Sequence, residues 1–127
     1  MNYNFKEIEQ TANKLAIEAA DNQLKLLQAK GPAYEILDSN ERVVDQLLDL
    51  CGGAYIEFKD RRSSFYKQYK KYLIENNRLN KYNDLYMFDF IPTGRQEYSV
   101  NKAAAEAVYN YLTSTFKVSL NLESYVD

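Results

Sequence analysis

A long periodic stretch near the start of the chain most constrains how it can fold. Mostly apolar or small side chains recur there at alternating spacings of three and four residues, the periodicity of one helix face. Asn4 and Glu7 fit a capping box, and Tyr3 is placed for a hydrophobic staple with the first turn. Gly31-Pro32 provides a stop signal. The sequence therefore predicts one long N-terminal helix with both ends specified. Its periodic positions are Phe5, Ile8, Ala12, Leu15, Ala19, Asn22, Leu26 and Ala29.

A second apolar stripe runs beside the first on the same predicted helix. It consists of Ile17, Ala20, Leu24 and Leu27. Two stripes give the helix more apolar surface than one small neighbour would cover. Two interpretations remain open: a central core helix, which the sequence favours, or a seam between copies of the chain.

Residues 39–51 allow a helix or a pair of strands. The apolar positions from Val43 to Cys51 fall on one helix face, with a capping box at Asp38 and Glu41 and a stop at Gly52-Gly53. A helix is favoured on this pattern. The alternative is a β-hairpin, in which residues 43–50 and 54–59 are strands joined by the glycines.

Residues 59–81 concentrate the positive charge of the chain, with eight Lys or Arg residues against two acidic ones. A helix is predicted over about 61–79, with Phe65 and Tyr69 on its buried face and lysines on the opposite face. Such a basic face could bind the phosphates of a nucleic acid, and nearby tyrosines could stack on unpaired bases. The predicted binding residues are Arg61, Arg62, Lys67, Lys70 and Lys71, and the candidate stacking residues are Tyr66, Tyr69 and Tyr72.

An alternative partner for these lysines is the chain itself. If residues 39–51 are helical, Glu41, Asp45 and Asp49 form an acidic stripe that could neutralise them. The sequence favours pairing within the chain or between subunits over nucleic acid.

The remainder of the chain supplies a strand, a helix and a further strand. Residues 85–91 form a short apolar run that ends at a turn, which predicts a buried strand. Ser99 is placed to cap a last helix. The alternation of apolar and polar residues over 118–123 predicts a final strand. The predicted fold is mainly α with a minor β component (α+β), as a single domain over residues 1–127.

Composition excludes several classes of chemistry. The chain contains no histidine and one cysteine, so it cannot by itself build Ser-His-Asp or Cys-His catalytic sites, Cys-rich zinc sites or Cys-ligated iron–sulfur clusters. Glycine-rich nucleotide-binding loops are missing. We expect no cofactor and no metal. The polar N-terminus and the lack of a long apolar run predict a protein that is cytoplasmic and makes no membrane contact.

One enzymatic interpretation rests on Asp45, Glu57 and Lys59. On paired strands these residues could hold Mg²⁺, orient a water and stabilise a scissile phosphate. The stretch resembles the large nuclease superfamily defined by Asp followed by Glu-x-Lys, and Gln68 matches a glutamine that many members carry on the next helix. The resemblance implies a small Mg²⁺-dependent nuclease.

The favoured function is non-enzymatic: a structural or adaptor subunit that acts through protein contacts. The surplus apolar surface and the complementary charges indicate a homo-oligomer or a larger assembly. Richness in Asn, Lys, Tyr and Ile suits an AT-rich bacterial or phage genome, so a virion connector or a phage-encoded inhibitor fits this expectation.

Overall fold

A computed structural model describes residues 2–32, 34–37, 39–41, 43–47, 49–78, 95 and 97–126. The fold is mainly α with a minor β component, as predicted. The strand predicted over residues 85–91 lies outside the described residues. None of the helices in the described ranges is both long and apolar enough to span a bilayer. The elements are α1 (Phe5–Lys30), β1 (Tyr34–Leu37), β2 (Val43–Leu47), β3 (Gly52–Phe58), α2 (Ser64–Glu75), α3 (Tyr98–Phe116) and β4 (Leu120–Val126).

Both predicted ends of helix α1 are confirmed. The Asn4 side-chain oxygen accepts a hydrogen bond from the backbone N–H of Glu7 at 3.2 Å, which satisfies one of the free donors of the first turn. At the other end, the Gly31 N–H donates to the Leu27 carbonyl at 3.1 Å. Gly31 has a φ of 84°, a conformation that costs glycine little because it lacks a Cβ.

The buried face of α1 follows a different course from the predicted one. Its first half agrees, but Leu26 and Ala29 are exposed, and the buried positions continue instead through Ala16, Ala20 and Leu27. The predicted positions keep a spacing close to 3.5 residues, whereas a straight α-helix has 3.6 residues per turn, so the two patterns separate along its length. This face packs along α3, which makes α1 a core helix of the chain.

The helix predicted over residues 39–51 is wrong. Val43–Leu47 forms β2, which pairs antiparallel with β1, from Tyr34 opposite Leu47 to Leu37 opposite Val43. The pairing contains a register shift between Ile36 and Leu37. Cross-strand pairing and the β-branched residues Val43 and Val44 outweigh the local helical pattern.

The alternative hairpin is also wrong, because its two strands form but do not pair with each other. β3 pairs antiparallel with β4, from Gly52 opposite Val126 to Phe58 opposite Leu120. Gly52 and Gly53 therefore lie inside a strand rather than in a turn. The predicted final strand is confirmed, although it occupies Leu120–Val126 rather than residues 118–123.

Helix α3 begins with a cap from a distant part of the chain. Ser99 is not its N-cap: the helix begins at Tyr98, and the preceding Glu97 makes no side-chain capping bond. Instead, the Asp49 carboxylate accepts a hydrogen bond from the Ser99 N–H at 2.7 Å, and the Leu50 carbonyl accepts one from the Tyr98 N–H at 2.7 Å. The segment before β3 thus satisfies free donors of α3.

We expect Asp49→Ala to lower the free energy of unfolding by about 1 kcal/mol at neutral pH, because a helix cap is lost. Partial burial raises the pKa of Asp49, but hydrogen bonds from Ser99 and the Leu50 backbone outweigh it and hold the pKa below its ordinary value of 3.8. An acid with a lowered folded-state pKa stabilises the fold above its unfolded pKa and loses that contribution as the pH falls. The difference between wild type and variant should therefore shrink as the pH drops below about 4.

Urea unfolding at several pH values measures this difference. Glu18→Ala, which removes an exposed carboxylate of α1, is the control and should change stability by less than about 0.5 kcal/mol. A difference for Asp49→Ala that stays constant down to pH values well below 4 would contradict the assignment.

The core lies where α3 meets the β3–β4 ribbon and α1. On α3, Val100, Val108 and Leu112 are fully buried, and Ile56 and Leu120 cover them from the ribbon. An aromatic cluster continues this core to α2, with the rings of Phe5 and Phe65 5.3 Å apart and nearly perpendicular. Its other members include Phe58, Tyr66 and Tyr69.

Candidate functional site

The predicted two-faced basic helix is confirmed as α2. Phe65, Tyr69 and Leu73 are buried on one face, while Lys67 and Lys71 are exposed on the other. Lys70 is half-buried at the boundary between the faces. The helix is shorter than predicted, covering Ser64–Glu75, so that Arg61 and Arg62 lie in the loop before it.

Local hydrogen bonds order the loop that carries these arginines. The Asp60 carboxylate accepts the Arg62 N–H at 2.9 Å, and the Ser63 hydroxyl donates to the Asp60 carbonyl at 3.2 Å. Ser63 also caps α2 by accepting the Tyr66 N–H at 3.1 Å. The Arg62 side chain is 93% exposed, and its 3.5 Å ion pair with Asp60 is of the weak surface type. Both Arg61 and Arg62 therefore present their charge to solvent.

The tyrosines of α2 are not available as stacking surfaces in the way predicted. Tyr66 and Tyr69 are 5% and 2% exposed. The Tyr66 ring packs edge-on against Phe58 with centroids 5.2 Å apart. Tyr72 is half-buried, beside Tyr69 and Phe5. The stacking prediction is therefore wrong for Tyr66 and Tyr69, because the helix turns these rings into the aromatic core.

The predicted acidic stripe does not exist, because its helix does not form. Glu41 is an exposed residue near the β1–β2 turn with a φ of 62°, and Asp45 lies on β2. Asp49 caps α3. On α2 itself, Lys71 lies 3.9 Å from Glu75 in an exposed pair, which neutralises little of its charge.

The residues of the nuclease interpretation are divided between the two sheets. Glu57 lies on β3 opposite Asn121, and Lys59 follows the strand. Asp45 lies on β2 opposite Ile36. The hairpin pairing expected to join Asp45 to Glu57 is therefore not formed. Across the part of the chain that the structure describes, no three acidic or cysteine side chains are grouped closely enough to hold a metal ion. Nuclease activity stays a prediction.

An apolar patch lies at one end of the β3–β4 ribbon. Leu50, Tyr125 and Val126 are 43%, 51% and 50% exposed. Tyr125 and Val126 pair with Gly53 and Gly52 at the start of β3, and Leu50 lies two residues before that strand. We call these three residues the ribbon-end patch. Tyr125 and Val126 are consecutive on β4, so their side chains lie on opposite faces of the ribbon and the patch surrounds its end. Single exposed apolar residues are ordinary, but several at one end of a ribbon are typical of a contact surface.

A partly buried ion pair, which was not predicted from the sequence, connects α1 to the end of α2. The Glu9 carboxylate, whose side chain is 10% exposed, accepts two hydrogen bonds from the Arg78 guanidinium, at 2.5 and 2.8 Å. Tyr69 donates a third at 3.1 Å. Glu9 raises the pKa of Arg78 above its ordinary value, so the arginine stays charged. Burial, together with the charge of Glu9, raises the pKa of Tyr72.

The backbone at the end of α2 directs Arg78 toward Glu9. Asn77 adopts a left-handed conformation with a φ of 58°, its N–H donates to the Ile74 carbonyl, and the Arg78 N–H donates to the Leu73 carbonyl at 2.8 Å. These two bonds form a Schellman motif, which turns the chain back over the last turn of the helix. Asn77 was a sequence signal for this end, because asparagine tolerates the left-handed conformation better than most residues.

A small open cleft of about 260 Å³ lies where the start of α1 meets the end of α3. Its walls include Tyr3, Ile8, Tyr111 and Phe116, with Asn4 and Glu7 as polar groups. The volume is below the usual range for small-molecule sites, which begins at about 300 Å³. The cleft is therefore not the main candidate for function.

Comparisons with known proteins gave no match: no protein-family model, no curated protein and no solved structure is significantly similar to this chain. Two surfaces are the candidates for function: the ribbon-end patch and the basic face of α2 with its preceding loop.

Proposed function

We propose that this protein is a non-enzymatic structural or adaptor subunit that assembles with further copies of itself. The observation that carries the proposal is the ribbon-end patch, where Leu50, Tyr125 and Val126 together expose apolar surface to solvent. Burying such surface against another protein is favourable by about 25 cal/mol per Å². An isologous contact lets one patch meet the same patch on a second copy.

The strand beside the patch supports the same proposal. Among the described strands, β4 pairs only with β3, so one edge of β4 has backbone groups that no described strand satisfies. The ribbon is stabilised by packing on α3, but its open edge is still a template for adding a further strand. Antiparallel pairing of β4 in two copies would make a continuous four-stranded sheet and bury the ribbon-end patch.

The biological setting that we propose is a bacterial cytoplasm or a phage particle. Support comes from composition, namely the richness in Asn, Lys, Tyr and Ile that suits an AT-rich genome. The roles that we propose in this setting are a small virion connector or a phage-encoded inhibitor, and a protein-binding edge suits either one.

The test is the molar mass in solution, measured by size-exclusion chromatography with light scattering. We expect a defined oligomer well above the 14.8 kDa of one chain. Leu50→Lys/Val126→Lys should shift it toward the monomer, because a charge would be buried in the contact. Circular dichroism should show that the variant remains folded.

Leu26→Lys is the matched control, since Leu26 is an exposed apolar residue on α1, away from the ribbon. It should leave the oligomer intact. A wild-type protein that stays monomeric at the highest attainable concentration would overturn the proposal. An oligomer that the Leu26 variant disrupts and the ribbon-end variant does not would also overturn it.

A further inference from the structure

We propose that the outward face of α2 and the loop before it bind the phosphate backbone of double-stranded DNA. The residues that carry this binding are Lys59, Arg61, Arg62, Lys67 and Lys71, which are all exposed. We call them the basic surface. It is separate from the ribbon-end patch, so this activity does not depend on self-assembly.

Charge complementarity selects a polyanion as the partner. Residues 59–75 contain six cations and two carboxylates, whereas the rest of the chain contains ten cations and sixteen carboxylates. The acidic remainder repels DNA at long range. At physiological ionic strength such repulsion is screened beyond about 8 Å, so the local cluster determines binding.

The two carboxylates within this segment cancel little of the charge. Asp60 accepts a backbone N–H and lies beside an arginine that is 93% exposed. Glu75 is at the far end of α2, in a 3.9 Å pair whose members are both largely exposed. The first turn of α2 contains no acidic residue, so the positive end of the helix dipole adds to the charge of Arg61 and Arg62.

The shape of the surface fits a duplex. α2 has 12 residues and projects its polar face away from the core over a length of about 18 Å. An α-helix about 10–12 Å across fits the major groove of B-form DNA, about 12 Å wide. The major groove of double-stranded RNA is too narrow for side chains to read. B-form DNA is therefore the duplex that the helix fits.

The buried tyrosines argue against single strands. Proteins that bind single-stranded nucleic acid combine a basic groove with aromatic rings on which bases stack, at about 1–3 kcal/mol per base. Tyr66 and Tyr69 are 5% and 2% exposed and face the aromatic core. The exposed residues of α2 are Ser64, Lys67, Lys71 and Glu75, of which the two lysines offer phosphate contacts, and none of the four has an aromatic ring. Tyr72 is half-buried and packs beside Phe5 and Tyr69.

The experiment is fluorescence anisotropy with a labelled DNA duplex of two helical turns, the same sequence as a single strand, and the matching RNA duplex. Salt is varied between about 50 and 200 mM. We expect the DNA duplex to bind most tightly, with a slope of log K against log salt of about −4.5 for five phosphate contacts. Lys67→Gln/Lys71→Gln should reduce the magnitude of that slope by about two.

The control is Lys14→Gln/Lys25→Gln, which removes the same charge from exposed lysines of α1. It should leave the slope unchanged. The proposal is overturned if the DNA duplex does not bind at low salt, or if the single strand or the RNA duplex binds more tightly. It is also overturned if the α1 control reduces the salt slope as much as the α2 variant does. Binding to anionic lipid vesicles in place of DNA would also overturn it.

Discussion

Arg78→Ala is expected to lower the free energy of unfolding by about 3 kcal/mol, because it leaves the buried Glu9 carboxylate without its cation. Breaking a buried ion pair by removing one partner costs about 3–5 kcal/mol. We expect the lower end of this range, since the Arg78 side chain is 39% exposed and Tyr69 still donates to Glu9. Urea unfolding followed by circular dichroism measures the change.

Lys71→Ala is the control for this prediction. Lys71 also pairs with a glutamate, Glu75, but both side chains are largely exposed, at 77% and 61%. Its loss should cost about 1 kcal/mol or less. The double variant Glu9→Leu/Arg78→Met replaces both charges by apolar groups and should recover most of the lost stability. If the double variant is as unstable as Arg78→Ala, the unpaired Glu9 carboxylate is not the cause of the lost stability.

Gly52→Ala is expected to cost about 3 kcal/mol, because the new methyl group has no room between β3 and β4. A Cβ at this position would lie 2.3 Å from the backbone carbonyl oxygen of Tyr125 and 3.1 Å from the Cα of Val126. Backbone atoms cannot move aside without separating the strands. We therefore expect both a lower midpoint in urea and faster hydrogen exchange of the β4 amides.

The neighbouring Gly53→Ala provides the control at almost the same place. Its Cβ would meet the Tyr125 hydroxyl at 2.5 Å, but that ring is 51% exposed and can rotate into solvent. Alanine also lowers the conformational entropy of the unfolded chain, which stabilises the fold by about 0.4–1 kcal/mol and offsets the cost of moving the ring. Gly53→Ala should therefore be close to neutral. If both variants lose the same free energy of unfolding, the clash between a methyl group at Gly52 and the β4 backbone is not the cause.

The parts of the fold that could be predicted are those whose signals are local. Asn4, Glu7 and Gly31 specify the ends of α1 through contacts within one or two helical turns. The helix predicted over residues 39–51 was wrong because the contacts that determine this region are distant in the sequence. Val43–Leu47 becomes a strand because β1 pairs with it, and Ser99 needs no role as a cap because Asp49 supplies one from 50 residues away.

The same distinction applies to the candidate sites. The outward position of Lys67 and Lys71 follows from helical periodicity and was predicted. The burial of Tyr66 was not, because it depends on Phe58 from β3. The Glu9–Arg78 pair joins residues 69 positions apart, and the only sequence signal was a glutamate within an apolar helix face.

The pairing of β3 with β4 has a consequence for how the chain folds. These strands are separated by α2, α3 and the chain between them, so joining them closes a long loop and costs chain entropy that no local contact offsets. Helices can form in microseconds, well before such distant strands meet. We expect folding to be limited by ribbon closure, with β3 exposed until the C-terminal strand arrives.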